Sequence, residues 1–292
     1  MKVGIIGGGL TGLAAAYSLV KAGHEVHLWE REAELGGQAR TFDLDGVRLE
    51  RFYHHIFLSD EELLRLLKEL GLSSRLHWLP SSVGLFHKGR IYPFTTPWDL
   101  LRFPALGLLD RLRLGLLSLY LRRISQWQKW EGVTAREWLS RYAGKRNFQV
   151  IWEPLLRGKF GNHASDIGMT WLWNKMRLRV GSRGLWRERL GYLEGSFGSL
   201  TDALAQTIES GGGKISSRTE VTRIEVAQGK VTGVKVQGRE TFSCDAVIAT
   251  IPNQALLRLA SEFPPTYKRQ LESISYLAAL CLVLVLKKSF MP

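Results

Sequence analysis

Apolar and polar positions change their period several times along the chain, and each change marks an element. Lys2–Ile6 (KVGII) is an unbroken apolar run after its first residue, the pattern of a strand covered on both faces in a parallel sheet. Leu, Ala and Tyr then recur at helical spacing over 11–22, and Gly23 ends that helix. Residues 26–29 predict a second strand. Residues 42–58 predict a strand, an Asp45-Gly46 turn and another strand. Ser59 with Glu62 three residues on is a capping box for a helix over 59–70, closed by Gly71. Residues 83–86 and 90–92 alternate and predict a hairpin. Residues 97–123 are dense in leucine and predict helices, and Thr134 and the Pro154-Leu155-Leu156 segment each open another. Further on, Ser199 with Asp202 predicts a helix start, ended at 211–213. Residues 220–226, a Gln228-Gly229 turn and 231–236 read as a β-meander. Residues 244–250 (CDAVIAT) read as a buried strand, and 278–286 as one more.

The alternation of strand and helix at the start gains chemistry from its glycines. Gly7, Gly9 and Gly12 form G-x-G-x-x-G between the first strand and the first helix. In that pattern the first glycine permits a tight turn and the second lets backbone approach a pyrophosphate. The third lets helix and strand pack closely. Leu10, Thr11 and Gly12 then present free N–H groups and the positive end of a helix dipole to phosphate. Glu30 closes the second strand about 20 residues beyond the turn, where a carboxylate takes both hydroxyls of an adenosine ribose. An acid there favours an unphosphorylated ribose, as in NAD or FAD, over NADP. A glycine doublet, Gly36-Gly37, follows.

The segment Glu30-Arg31-Glu32-Ala33-Glu34-Leu35-Gly36-Gly37-Gln38-Ala39-Arg40-Thr41 resembles the second nucleotide-contacting segment of the FAD-dependent amine oxidase superfamily. That group includes protoporphyrinogen oxidases, phytoene desaturases and monoamine oxidases; UDP-galactopyranose mutases share the N-terminal pattern. The resemblance implies FAD in an extended pose, with Gly36, Gly37, Gln38 and Arg40 near the pyrophosphate and ribityl chain, and Arg31 beside Glu30. Two glycines let backbone lie against a cofactor, and an arginine beside them neutralises phosphate charge. It further implies that backbone around Val221 contacts adenine and that the strand ending at Thr250 and Pro252 passes close to the dinucleotide. Tyr53, His54 and His55, with Arg51, become candidates for the pocket at the flavin ring. Without the resemblance, paired histidines at a strand end read as polar packing, and no third ligand stands nearby to suggest a metal.

The implied fold is α/β: a Rossmann-like FAD-binding domain with an interleaved α+β substrate domain. Its expected parts are 1–75 for the first half of the FAD-binding domain and 76–191 for a mostly helical substrate domain. The second half of the FAD-binding domain follows over 192–262, and a substrate-domain sheet begins over 263–292. Related oxidases continue past this point, so the sequence reads as C-terminally truncated, short of the segment that seals the isoalloxazine end.

Composition narrows the function. Apolar residues make up 45% of the 292, ample for a core. Cys244 and Cys281 form no C-x-x-C, which excludes a disulfide framework and a zinc ribbon and suits a reducing cytoplasm. The first strand begins at residue 2, so no signal peptide is expected, and no uncharged apolar run reaches the roughly 18 residues of a membrane span. The net charge of +13 fits an anionic membrane surface or an anionic substrate better than nucleic acid, for which no motif is present. Residues 97–123, with Arg102, Arg111, Arg113, Arg122 and Arg123, suit core-facing helices of the substrate domain, with a membrane-lying pair as the alternative. Eight of the ten tryptophans fall between Trp98 and Trp186, as core packing and in part as walls of an apolar pocket. Arg177, Arg179, Arg183, Arg187 and Arg189 form a basic run, a solvated face or a phosphate site.

These readings converge on an FAD-dependent oxidoreductase that removes a hydride equivalent from a bulky, largely apolar small molecule, with no catalytic triad apparent. Two alternatives stay open: a UDP-galactopyranose-mutase-like flavoenzyme, and an inactive FAD-binding fragment.

Overall fold

The computed structural model describes residues 1–181, 188–238, 241–260 and 262–288, with side chains at 179–181 outside the description. In chain order the elements are β1 (Lys2–Ile6), α1 (Leu10–Lys21), β2 (Glu25–Trp29), β3 (Thr41–Leu44), β4 (Val47–Glu50), α2 (Glu61–Glu69), β5 (Leu76–Pro80), β6 (Gly84–His87), β7 (Arg90–Pro93), α3 (Pro97–Arg102), α4 (Leu108–Arg123), α5 (Ala135–Tyr142), α6 (Lys145–Asn147), α7 (Glu153–Phe160), α8 (Met169–Gly181), β8 (Arg189–Leu193), α9 (Ser196–Ser210), β9 (Lys214–Ser216), β10 (Val221–Ala227), β11 (Lys230–Val236), β12 (Thr241–Ser243), β13 (Ala246–Ala249), α10 (Asn253–Leu259) and α11 (Pro265–Glu272).

Two compact units share this chain. The first comprises Met1–His54, Leu67–Arg75 and Leu193–Pro292. Its centre is a parallel sheet in the order β13-β1-β2-β9. Helix α1 buries Gly12, Leu13, Ala16 and Tyr17, one face at helical spacing. Ile5, Leu13 and Leu28 are fully buried, each contributing about 1.5–3 kcal/mol by leaving water. Past Ala22, Gly23 takes φ +78° and its N–H donates to the Val20 carbonyl, which stops the helix as the glycine predicts. A second crossover ends in α9 and β9. The meander β10-β11-β12 follows, and its Val221, Ile224, Val234 and Val236 form a cluster with Ile6 and Trp29. Strand β13 then returns beside β1, pairing Val3 with Ala246. Two hairpins in this unit turn on residues with positive φ, Asp45-Gly46 (51° and 79°) and Gln228-Gly229 (54° and 72°), the geometry that matches strand twist.

Several expectations need correction here. The second strand expected within 42–58 stops at Glu50, and 51–55 are irregular. The strand at 244–250 is β13 alone and is half-buried; only β1 pairs with it among the described residues, so its other edge is open. Helix α9 starts at Ser196 rather than Ser199, because Gly195 in a left-handed conformation turns the chain into it. Ser199 donates its hydroxyl to the Glu194 carbonyl, and Asp202 forms an ion pair with Arg48. No strand forms over 278–286: a strand exists by pairing, and none of the described residues pairs with this run. Of the stretch expected to begin a substrate-domain sheet, the described residues 263–288 carry α11 and then this run.

The second unit comprises His55–Leu66 and Leu76–Tyr192. It holds the β6-β7 hairpin, turned by Lys88-Gly89, and a helical group around Trp130, Trp138, Leu139, Leu156, Met169 and Trp173. Thr96 and Thr134 each complete a capping box, with Asp99 and Glu137 three residues on. Helix α2 begins at Glu61, and Asp60 rather than Ser59 occupies its cap, its carbonyl accepting from Leu64 N–H. Of the tryptophans, Trp130, Trp138 and Trp173 are core, Trp98 is 63% exposed, and Trp186 lies outside the described residues.

Candidate dinucleotide-binding site

The glycines at the end of β1 are there because side chains do not fit. Gly7 leaves the strand at φ +106°, and its N–H donates to the Trp29 carbonyl at 2.9 Å. A Cβ on Gly12 would lie 1.9 Å from the Gly7 carbonyl oxygen, so α1 can start this close to the turn only with glycine there. Gly36 and Gly37 sit at φ +109° and +58°. The Gly36 N–H donates to the Gly8 carbonyl at 2.8 Å, and a Cβ on Gly37 would lie 3.0 Å from the Gly9 Cα. The two glycine segments, far apart in sequence, therefore lie backbone against backbone. Gly9 occupies the cap of α1 with no side-chain bond, and the first turn carries no acid. The N–H groups of Leu10, Thr11 and Gly12 lack helical partners and carry the positive end of the dipole.

Glu30 is held at the mouth of this turn. One carboxylate oxygen accepts from Gly8 N–H at 2.7 Å and the other from Glu32 N–H at 2.9 Å. Each oxygen keeps a second acceptor position, enough for two hydroxyls. The Glu30 carbonyl accepts from Thr219 N–H at 2.8 Å, and Arg218 N–H donates to Glu32. That pairing draws the start of β10 alongside, so Val221, buried and opposite Val236 in the meander, stands two residues from the acid's own partner.

Arg40 is largely buried. One guanidinium nitrogen contacts Glu32 at 3.3 Å, and its Nε is buried with no hydrogen-bond partner. A buried cationic donor left open beside two glycines fits a phosphate, which would satisfy it. Arg31 and Gln38 are exposed, and Arg31 lies 3.4 Å from Glu32. Thr250 stands at the end of β13, beside the turn that follows β1. Its hydroxyl lies 3.1 Å from both the Ile6 and Gly7 carbonyls, so it fastens the underside of the turn. Pro252 caps α10.

Tyr53, His54 and His55 lie in the irregular stretch after β4. Tyr53 is 63% exposed. His54 has its Nδ1 2.6 Å from the Phe52 carbonyl and its ring tilted against Phe197, while His55 belongs to the second unit and packs edge-on to Phe57. Cys244 is buried, and that burial pushes its thiol above the ordinary range. Among the described residues no group of His, Cys, Asp or Glu is placed to hold a metal. In the basic run, Arg177 stacks over Trp173 and Arg189 donates to the Trp78 carbonyl; Arg183, Arg187 and the side chain of Arg179 lie outside the described residues.

Sequence reasoning missed Gly8, Ser216, Arg218 and Thr219. Gly8 enters through its N–H, which the Glu30 carboxylate accepts. Ser216 accepts from Glu30 N–H in the pairing of β2 with β9, a strand too short to show a period. Within the second unit, a cleft of about 830 Å³ is lined by Leu116, Tyr120, Lys129, Trp130, Trp138 and Tyr142.

A family model described as flavin containing amine oxidoreductase matches residues 10–292. The coproporphyrinogen III oxidase of Mycobacterium tuberculosis (strain ATCC 25618 / H37Rv) is 27% identical over 290 residues, covering 89% of this chain and 61% of that protein. A 15-cis-phytoene desaturase of Synechococcus elongatus is 39% identical over 84 residues, 28% of this chain and 18% of that protein. Among solved structures, an oxidoreductase from Methanosarcina mazei superposes with a TM-score of 0.74 at 24% identity, over 94% of this chain and 65% of that one. The chain thus spans about three-fifths of the length of the coproporphyrinogen oxidase it matches.

Proposed function

The chain belongs to the flavin-containing amine oxidoreductases, and from that premise we propose that it carries the FAD-holding frame of an oxidoreductase acting on a bulky, largely apolar small molecule. The observation that carries this is the closure of the Gly7–Gly12 turn on Gly36-Gly37, with Glu30 fixed at one end and the Nε of Arg40 buried and open. Glu30 takes the ribose hydroxyls and the first turn of α1 takes pyrophosphate oxygens. Arg40 neutralises phosphate charge, and Gly37 and Gln38 lie along the chain leading to the flavin. Backbone near Val221 contacts adenine. Thr250 and Pro252 hold the turn and the exit of β13 in place. FAD, when bound, supplies the acceptor for a hydride equivalent. Tyr53, His54 and Arg51 are candidates for the ring end of the site.

The names of the relatives, an oxidase and a desaturase, favour redox chemistry over the mutase alternative. Porphyrinogens and carotenoids are the substrates those names carry, and both suit an apolar pocket. A peripheral location on a membrane surface belongs to the same proposal, supported by the charge of +13 and the leucine content of α4.

The test is to purify the chain, denature it and identify the released dinucleotide by chromatography and mass. FAD is expected. Arg40→Gln should weaken retention of added FAD by about tenfold, the loss of one charge-assisted phosphate contact. Release of NAD, or no affinity for FAD in the folded chain, overturns the assignment.

A further inference from the structure

Helix α4 reverses the usual arrangement of a surface helix. Its inner side is ordinary: Leu114 and Leu121 are buried and Leu117 packs against the tryptophan cluster. Its outer side should be polar. Instead Leu108, Leu109, Leu112, Leu116, Leu119 and Tyr120 recur at helical spacing on the opposite face, and all are exposed; Leu109 is 82% and Leu116 68% accessible. Trp98, on the preceding helix α3, is also exposed. The leucines thus form a second apolar stripe turned away from the core, and a contiguous exposed apolar patch marks an interaction surface.

Charge decides what covers it. Arg113, Arg122, Arg123 and Lys129 are exposed on or beside this face, against Asp110 as the acid within α4. Arg113 is braced by the carbonyls of Arg141 and Tyr142, both at 2.6 Å, and Lys129 lies over the Tyr120 and Trp130 rings at the cleft. An apolar face with a basic rim is the signature of a helix lying in the headgroup layer of an anionic bilayer, with aromatic side chains at the boundary. Among the described residues no helix is long and apolar enough to cross a membrane, so contact is from one side.

We infer that the outer face of α4 docks the protein on an anionic phospholipid surface, with Leu109, Leu112 and Leu116 entering the acyl boundary and Arg122, Arg123 and Lys129 meeting lipid phosphates. This deepens the peripheral-membrane part of the proposed function and stands apart from its flavin chemistry. Flotation of the full chain with vesicles of equal phosphatidylglycerol and phosphatidylcholine tests it. The protein floats with these and far less with phosphatidylcholine alone. Leu109→Asp with Leu116→Asp abolishes flotation, and because both side chains are exposed the thermal melt is unchanged. Arg122→Gln and Arg123→Gln each weaken partitioning about fivefold, the loss expected for one basic residue near the surface. Equal flotation on both vesicles, or flotation unaffected by the aspartates, overturns the inference. So does a dimer in the absence of lipid that the aspartates dissociate, since the face then belongs to a second copy. FAD retention, measured on the same variants, stays constant, so a failure here is distinct from failure of the cofactor assignment.

Discussion

Gly12 and Gly23 lie at the two ends of α1 and answer to different physics. At Gly12 the obstacle is space: any Cβ meets the Gly7 carbonyl. At Gly23 nothing lies within 4 Å of the Cβ position, and the obstacle is the positive φ. Gly23→Ala should therefore cost about 1–2 kcal/mol of left-handed strain and leave FAD retention intact. Gly12→Ala should cost a similar 1–3 kcal/mol by overpacking, and it should also displace the turn and lower FAD retention by more than tenfold. Urea melts and cofactor retention on the two variants, side by side, check the distinction; equal retention would mean the turn tolerates movement. The glycines and Glu30 were legible in the sequence because each is demanded by its own side chain or by the lack of one. Gly8, Ser216, Arg218 and Thr219 were not, because they act through backbone groups, which every residue carries. The hydroxyl contacts of Thr250 were hidden for a related reason. Its position at the strand end is visible in sequence, but which carbonyl its hydroxyl reaches depends on the parallel pairing of β13 with β1.

Elements were legible where a local rule fixes them. Asp45-Gly46 and Gln228-Gly229 fix hairpins through positive φ at both turn residues. Local rules failed at α9, whose Phe197 N–H bonds to the carboxylate of Glu50, far away in sequence, so no capping residue needed to stand at the start. The capping box of α3 is local throughout. Thr96 Oγ1 accepts from Asp99 N–H at 3.2 Å, and Asp99 accepts from the Thr95 and Thr96 N–H groups at 2.9 and 2.7 Å. Burial alone would raise the Asp99 pKa, but the bonds from Thr96 and Thr95, with Arg102 nearby, outweigh it and hold the carboxyl below the ordinary carboxylate value. A depressed folded-state pKa stabilises above the unfolded value, about 3.9, and the contribution fades as pH falls through the folded value. Asp99→Ala should then cost about 1 kcal/mol at pH 7 and progressively less as the pH is lowered below about 4. Denaturant melts of both proteins across that range measure it. A difference that grows on acidification would mean that the carboxylate is not the stabilising form.

At the scale of the whole molecule, the parallel sheet and its closure on two glycine segments could be anticipated, since one short stretch holds most of the determinants. The run after α11 could not. Its alternation of Leu and Val reads as a strand, yet a strand depends on what lies beside it, and sequence does not name the neighbour. In the structure Leu280, Leu282, Leu284 and Val285 are exposed, Leu280 almost completely, along a segment with no ladder partner among the described residues. Such a segment, apolar, β-prone and free of proline over 276–286, pairs with another chain when nothing else covers it. The purified chain should therefore associate with rising concentration, even though its net charge of +13 opposes this. Association should grow when salt screens that charge. Leu282→Lys with Leu284→Lys should reduce light scattering at the same concentration and leave the far-ultraviolet circular dichroism of the folded units unchanged. The aspartate substitutions on α4 serve as the comparison. If they, and not the lysines, remove the association, the exposed leucines of α4 are the adhesive surface and the run after α11 is covered in solution.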